Sequence, residues 1–188
     1  VWVTNASRAV QEPLLAASPH LRQHVYVPDV RFFGFHPDLV HPTRRDGTPV
    51  LGPTGPYASL VVLAGWRLGL DAEEVVTRFG ATTLRALGYA SSWSAALVEL
   101  RRRVELSDLD WAEVYLPLAR GSAFMLTDDH PRLDVLVHLA RLAARRLGAD
   151  PELADHPWER VVPDGLLATS EVWPGYPPVA EALGQVDG

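Results

Sequence analysis

His130 stands in the stretch Thr127-Asp128-Asp129-His130-Pro131, with two carboxylates just before it and a proline just after. Imidazole can take and return a proton near neutral pH, so it can relieve a hydroxyl of its proton as that hydroxyl attacks. A neighbouring carboxylate, Asp128 or Asp129, can fix which ring nitrogen carries the proton. The spacing predicts that Asp128 or Asp129 caps a helix running from Pro131 to Leu147. Leu133, Leu136, Val137, Ala140, Ala143, Ala144 and Leu147 recur there at helical intervals. The positive end of such a helix would favour the neutral ring that a base must be. The same residues are also ordinary punctuation between loop and helix, so the pattern leaves a base and a plain capping segment both open.

Two other segments carry polar groups that chemistry can use. Arg31 to Val40 packs aromatics and then turns at His36, Pro37 and Asp38. His36 and Asp38 are too close in the chain to relay a proton through each other without a special turn, but either could meet His130 across the fold. A polar turn closing an aromatic strand is the plainer reading. Gly52 to Ser59 supplies a Gly- and Pro-rich loop that opens the helix expected at Leu60. Backbone amides near Gly55 could cradle a phosphate or an oxyanion, and Ser59 could be a contact, a nucleophile or simply a cap. The loop lacks the lysine and the spacing of a Walker loop, and the chain has no Gly-x-Ser-x-Gly elbow.

Composition removes several chemistries. Cysteine is absent, which excludes disulfides, thiolate metal sites and a thiolate nucleophile within this chain. All 17 basic residues are arginine, so no lysine forms a Schiff base. The histidines follow no metal-binding spacing, and His130 and His138 are too far apart on one helix to share an ion, so no metal is expected. The net charge of −6 argues against nucleic acid as the main partner. The longest apolar run, Leu60 to Trp66, is far short of the ~20 residues that span a bilayer, and no secretory signal is read. A cytoplasmic location is the expectation. Arg101 to Arg103 reads as a solvated face, and Trp66, Trp93, Trp111 and Tyr57 as core.

The elements that must position these residues follow from pattern. VWVTN reads as a strand, residues 7 to 17 as a helix broken near Pro13, and Val25 to Val27 and Val30 to Phe33 as short strands. A helix runs from Tyr57 to near Gly69, and a second, capped by Asp71, runs to Gly88. A third spans Ser91 or Ser92 to Leu106. A fourth opens on a capping box at Ser107 and Asp110 and kinks or ends near Pro117. The sum is one domain over residues 1–188, mainly α with a small α/β portion: several packed helices and a few short N-terminal strands.

Phe35-His36-Pro37-Asp38-Leu39-Val40, then Gly55-Pro56-Tyr57-Ala58-Ser59, then Thr127-Asp128-Asp129-His130-Pro131 occur in that order. With Gly69-Leu70-Asp71-Ala72-Glu73-Glu74, Leu87-Gly88-Tyr89 and the closing Trp173-Pro174-Gly175-Tyr176-Pro177, the set resembles the WcbI-like polysaccharide-biosynthesis acetyltransferases from about Phe32 to Gly184. The resemblance implies binding of coenzyme A or acetyl-CoA and transfer of an acetyl group to a sugar or glycan hydroxyl. It carries the family's late histidine onto His130, its early His-Pro-Asp onto His36, Pro37 and Asp38, and its helix-opening pair onto Tyr57 and Ser59. On that reading Asp128 or Asp129 orients His130, Gly55 lies among the oxyanion donors, and Arg44, Arg45 or Arg120 meets the cofactor phosphates.

The family's opening strand is followed by a Gly-Asn-Cys-Gln turn, which has no counterpart motif here. VWVTN is therefore expected to be a later strand, and the chain to be the larger C-terminal part of such a domain, completed by a missing N-terminal segment or a partner chain. Two alternatives stand beside the acetyltransferase: a non-catalytic or incomplete binding module of a split enzyme, and an esterase-like hydrolase with Ser59 as its nucleophile.

Overall fold

The computed structural model describes residues 2–5, 8–20, 23–52, 55–120, 123–165, 173, 175 and 176. β1 (Trp2–Thr4) leads into α1 (Arg8–Ala16), which returns the chain to β2 (His24–Tyr26). The two strands pair in parallel, Val3 opposite Val25. The strand expected at VWVTN is present as β1 and is followed in the chain by α1. α1 runs through Pro13 instead of breaking there. A proline removes one N–H from the ladder, a loss this exposed helix absorbs.

Val30 to Phe33 does not form a strand. After extended Phe32, residues Phe33–Phe35 make a turn of 3-10 helix. The reason is aromatic packing: the Phe32 ring lies 4.8 Å from Trp93, 4.9 Å from Phe124 and 5.2 Å from Phe35. Gly34 permits this crowding, since a Cβ there would stand 2.5 Å from the Phe32 ring and 2.9 Å from Trp93. β3 (Leu39–Val40) and β4 (Ala58–Ser59) then pair antiparallel and hold the two ends of the long intervening loop together.

The rest is helical, as expected. Ser59 caps α2 (Leu60–Arg67) by accepting the Val62 N–H. Asp71 and Glu74 form a full capping box on α3 (Ala72–Val76). Gly80 divides the helix expected from Asp71 to Gly88, so α4 (Ala81–Ala86) is separate. α5 (Tyr89–Glu105) starts two residues earlier than Ser91. α6 (Trp111–Arg120) begins after Asp110, whose carboxylate accepts the Ala112 N–H, and it continues past Pro117. Ser107 instead closes the preceding turn onto the Leu109 N–H. α7 (Leu133–Arg146), α8 (Pro151–Ala154) and a final 3-10 turn follow.

The core lies where α5, α6 and α7 meet the aromatic turn. Ala96, Leu100, Val104, Val114, Val135 and Phe32 are completely or almost completely buried there. Trp93 and Trp111 pack against it as expected. Trp66 does not: it is 79% exposed at the end of α2. Arg101 and Arg102 hold surface ion pairs with Glu105 and Glu99, while Arg103 reaches both Glu99 and Asp29.

Candidate active site

His130 does not sit in the first turn of α7. That helix starts at Leu133 with Arg132 as its N-cap, so neither Asp128 nor Asp129 caps it and the dipole argument loses its geometry. Residues 127 to 130 instead form the tip of a tight loop. Met125 bridges Pro131, the Leu126 N–H donates to the His130 carbonyl at 2.8 Å, and the Arg132 N–H to the Phe124 carbonyl at 3.0 Å. Two outside bonds pin the loop. The Phe32 N–H donates to the Asp128 carbonyl at 2.7 Å, and the Trp173 N–H to the Leu126 carbonyl at 3.2 Å. The crowded aromatic turn therefore sets the position of this loop directly.

Thr127 is the hub of the loop and is 4% exposed. Its hydroxyl accepts the N–H groups of His130 at 3.2 Å and Asp129 at 3.4 Å and donates to Asp129 Oδ1 at 3.0 Å. His130 Nδ1 lies 2.8 Å from Asp129 Oδ1 and 2.8 Å from the Thr127 hydroxyl. Tyr57 reaches in from the other side: its hydroxyl donates to Asp129 Oδ1 at 2.8 Å and lies 3.4 Å from His130 Nδ1. The Asp129 carboxylate assigns the ring proton to Nδ1, so Nε2 keeps its lone pair on a ring that is half-exposed.

Two pKa shifts follow from this network. Burial alone would push the Asp129 carboxyl up. Hydrogen bonds from Tyr57 and Thr127, with the charges of His130 and Arg31, outweigh burial and hold it below the ordinary carboxylate value. Burial, followed by the bond to Asp129 and its charge, pushes the Tyr57 phenol up to about 12. At neutral pH Tyr57 therefore stays protonated and donates to an anionic Asp129.

Among the sequence-derived candidates, the fold brings together His130, Asp129 and Tyr57, the last from 73 positions away. Asp128 turns elsewhere and faces His41 Nε2 at 3.3 Å. His36 is 2% exposed, with its ring edge-on to Trp173 and Tyr176, and the groups around the His130 ring are Tyr57, Thr127 and Asp129. Asp38 is buried and accepts the Ser59 hydroxyl hydrogen. Gly55, with a positive φ of 78°, closes a turn in which its N–H donates to the Gly52 carbonyl at 3.1 Å, so that amide is occupied. Arg44 and Arg45 lie exposed on the loop bridged by Thr43 and Pro49. Arg120 ends α6.

Sequence reasoning missed Thr127 and His41. Thr127 stood within the quoted stretch, and its place three residues before a histidine is a local signal for a capping hydroxyl. His41 had none: its ring packs 5.0 Å from Tyr57, a contact only the fold creates.

Two clefts flank the network. One, of about 370 Å³, opens at the carboxyl ends of β1 and β2 and is lined by Thr4, Asn5, Asp29 and Asp129 together with apolar side chains. Open α/β units commonly bind ligands at this end of their strands. The other, of about 490 Å³, has Tyr57 in its wall and is almost wholly apolar. No group of three histidine, aspartate or glutamate side chains among the described residues is arranged for a metal ion. No described helix is long and apolar enough to cross a membrane.

A model of the family described as polysaccharide biosynthesis enzyme WcbI matches residues 6–152. No curated protein and no solved structure matches the chain.

Proposed function

The chain belongs to the WcbI family of polysaccharide biosynthesis enzymes, and from that premise we propose that it transfers an acyl group from coenzyme A to a sugar hydroxyl, with His130 as the general base. One observation carries the reading. Asp129, Tyr57 and Thr127 fix the Nδ1 side of a half-exposed imidazole, and Asp129 and Tyr57 each line one of the two flanking clefts.

On this reading Nε2 takes the proton from the acceptor hydroxyl as its oxygen attacks the acyl carbon, and later gives it up to the leaving group. Asp129 steadies the imidazolium formed in between, since its carboxylate lies 2.8 Å from Nδ1. Tyr57 and Thr127 hold Asp129 in place. The polar groups of the strand-end cleft, Thr4, Asn5 and Asp29, suit an acceptor rich in hydroxyls. Coenzyme A, when bound as its thioester, supplies the acyl group, acetyl being the one the family resemblance implies. Arg44 and Arg45 fit its phosphates: they are adjacent, exposed guanidinium groups in the loop between Pro42 and Val50, both of which line the apolar cleft. Hydrolysis through Ser59 has less support, because the Ser59 hydroxyl hydrogen is already committed to Asp38 and its oxygen to the Val62 N–H.

Calorimetric titration with coenzyme A and acetyl-CoA, on protein of confirmed intact mass, tests the reading. Saturable micromolar binding, followed by acyl transfer to a sugar that is lost in His130→Ala, is the expected result. A folded chain with no affinity for either compound overturns it.

A further inference from the structure

The apolar cleft is larger than a two-carbon group requires and differs in character from its neighbour. Pro42, Val50, Val62, Leu63 and Phe79 line it, and the rings of Tyr57, Trp173 and Tyr176 complete the wall. Its volume of about 490 Å³ is in the range of whole small-molecule sites. Its side-chain polar atoms present little to an occupant. The Tyr57 hydroxyl donates to Asp129, the Ser59 hydroxyl, 4% exposed, bonds Asp38 and Val62, and Trp173 Nε1 and the Tyr176 hydroxyl are buried behind their rings.

This lining selects among possible occupants. A sugar would bury hydroxyls against surfaces that cannot answer them. A pantetheine arm would do the same with its two amides, and among the described residues no cation lines the cleft for a phosphate. An alkyl chain has nothing to leave unsatisfied, and it would cover Val62 and Leu63, which are 46% and 37% exposed. The cleft adjoins the proposed reaction centre through Tyr57, which lines it and whose hydroxyl donates to Asp129 and lies 3.4 Å from His130 Nδ1.

We infer that the apolar cleft holds the alkyl chain of the transferred acyl group, so the preferred donor is an acyl thioester several carbons longer than acetyl. This inference rests on the acyltransferase reading above and adds the donor class to it.

The test is calorimetry with coenzyme A and its acetyl, butyryl, hexanoyl and decanoyl thioesters, on wild type and on Leu63→Trp. Wild-type affinity is expected to rise about fourfold per methylene, on the order of 200-fold from acetyl to hexanoyl, with an increasingly negative heat capacity of binding. In Leu63→Trp, checked by circular dichroism, the gain per methylene is expected to vanish. Val50→Trp, on the opposing loop, serves the same purpose if Leu63→Trp does not fold. Equal wild-type affinity for all the thioesters and free coenzyme A overturns the inference and leaves the acyltransferase reading standing. Chain-length dependence that survives both tryptophans also overturns it, since the chain then lies elsewhere. Failure of every compound to bind removes the acyltransferase reading, and the inference with it.

Discussion

Replacing Tyr57 by phenylalanine deletes one oxygen and leaves the ring that walls the apolar cleft. The hydroxyl it removes donates to Asp129 at 2.8 Å. A hydrogen bond to a charged group contributes about 1.5–3 kcal/mol, and partial exposure of this pair to solvent argues for about 1 kcal/mol here. For a chain of 188 residues that is a fall in Tm of about 2–4 °C. The effect has a defined pH dependence. Asp129 is held below its ordinary pKa by Tyr57, Thr127 and the charges of His130 and Arg31, acting against burial. Its contribution to stability is therefore fully present above the unfolded value of about 4 and is lost as pH falls through the folded value. Thermal unfolding of wild type and Tyr57→Phe from pH 3 to 8 should show the full gap above about pH 5 and a shrinking gap below pH 4. A gap of constant size across that range would refute the assignment of the hydroxyl to the carboxylate. So would the absence of any gap at pH 7.

Three further outcomes follow from the same geometry. His130→Ala should shift Tm by no more than about 2 °C, since the side chain is 43% exposed, while acyl transfer drops by on the order of 10²–10⁴; a large loss of stability at unchanged activity would make the residue structural. The double variant Arg44→Ala/Arg45→Ala should weaken coenzyme A binding by on the order of 10-fold or more at low salt and flatten its salt dependence, measured by calorimetry at two ionic strengths. Gly65→Ala should destabilise the fold by about 1–3 kcal/mol in a denaturant titration, because a Cβ on that buried α2 residue collides with the Val75 side chain of α3.

The sequence was most readable where a signal is local. The amphipathic spacing of α5 and α7, the Asp71 cap and the turn residues around Gly52 and Gly55 follow from neighbours a few positions apart. His130 with Asp129 was visible for the same reason, and Tyr57 entered through the family pattern. The misreadings have a common cause in tertiary packing. Phe32 to Phe35 carry strand propensity, yet the chain coils there because the rings of Trp93 and Phe124 must fit around Gly34 with their own. The helix expected from Pro131 starts at Leu133 because Met125 and Pro131 pair across the loop, a contact that no periodicity announces. Trp66 follows the apolar spacing of α2 but lies on the face that nothing among the described residues covers.

The absence of a thiol constrains the mechanism further. The Gly-Asn-Cys-Gln turn that the resemblance implies has no counterpart in this chain, and no cysteine or lysine occurs anywhere in it. The hydroxyls nearest the proposed centre are poorly placed to be acylated. Thr127 is buried with its oxygen engaged by two amides and its hydrogen by Asp129, Ser59 is tied to Asp38 and Val62, and the Tyr57 phenol, with its pKa near 12, stays protonated. On the acyltransferase reading, the acceptor attacks directly with His130 moving the proton, which requires both substrates on the protein at once. Acid-quenched protein incubated with acyl-CoA alone should therefore keep its unmodified mass, and initial rates against both substrates should give intersecting, not parallel, reciprocal plots. An acyl adduct mapped to His130 Nε2 would recast the imidazole as a nucleophile that carries the group itself. An adduct on Ser59 would move the reaction centre to the Asp38 side of β4 and sink the assignment of the open nitrogen as the base.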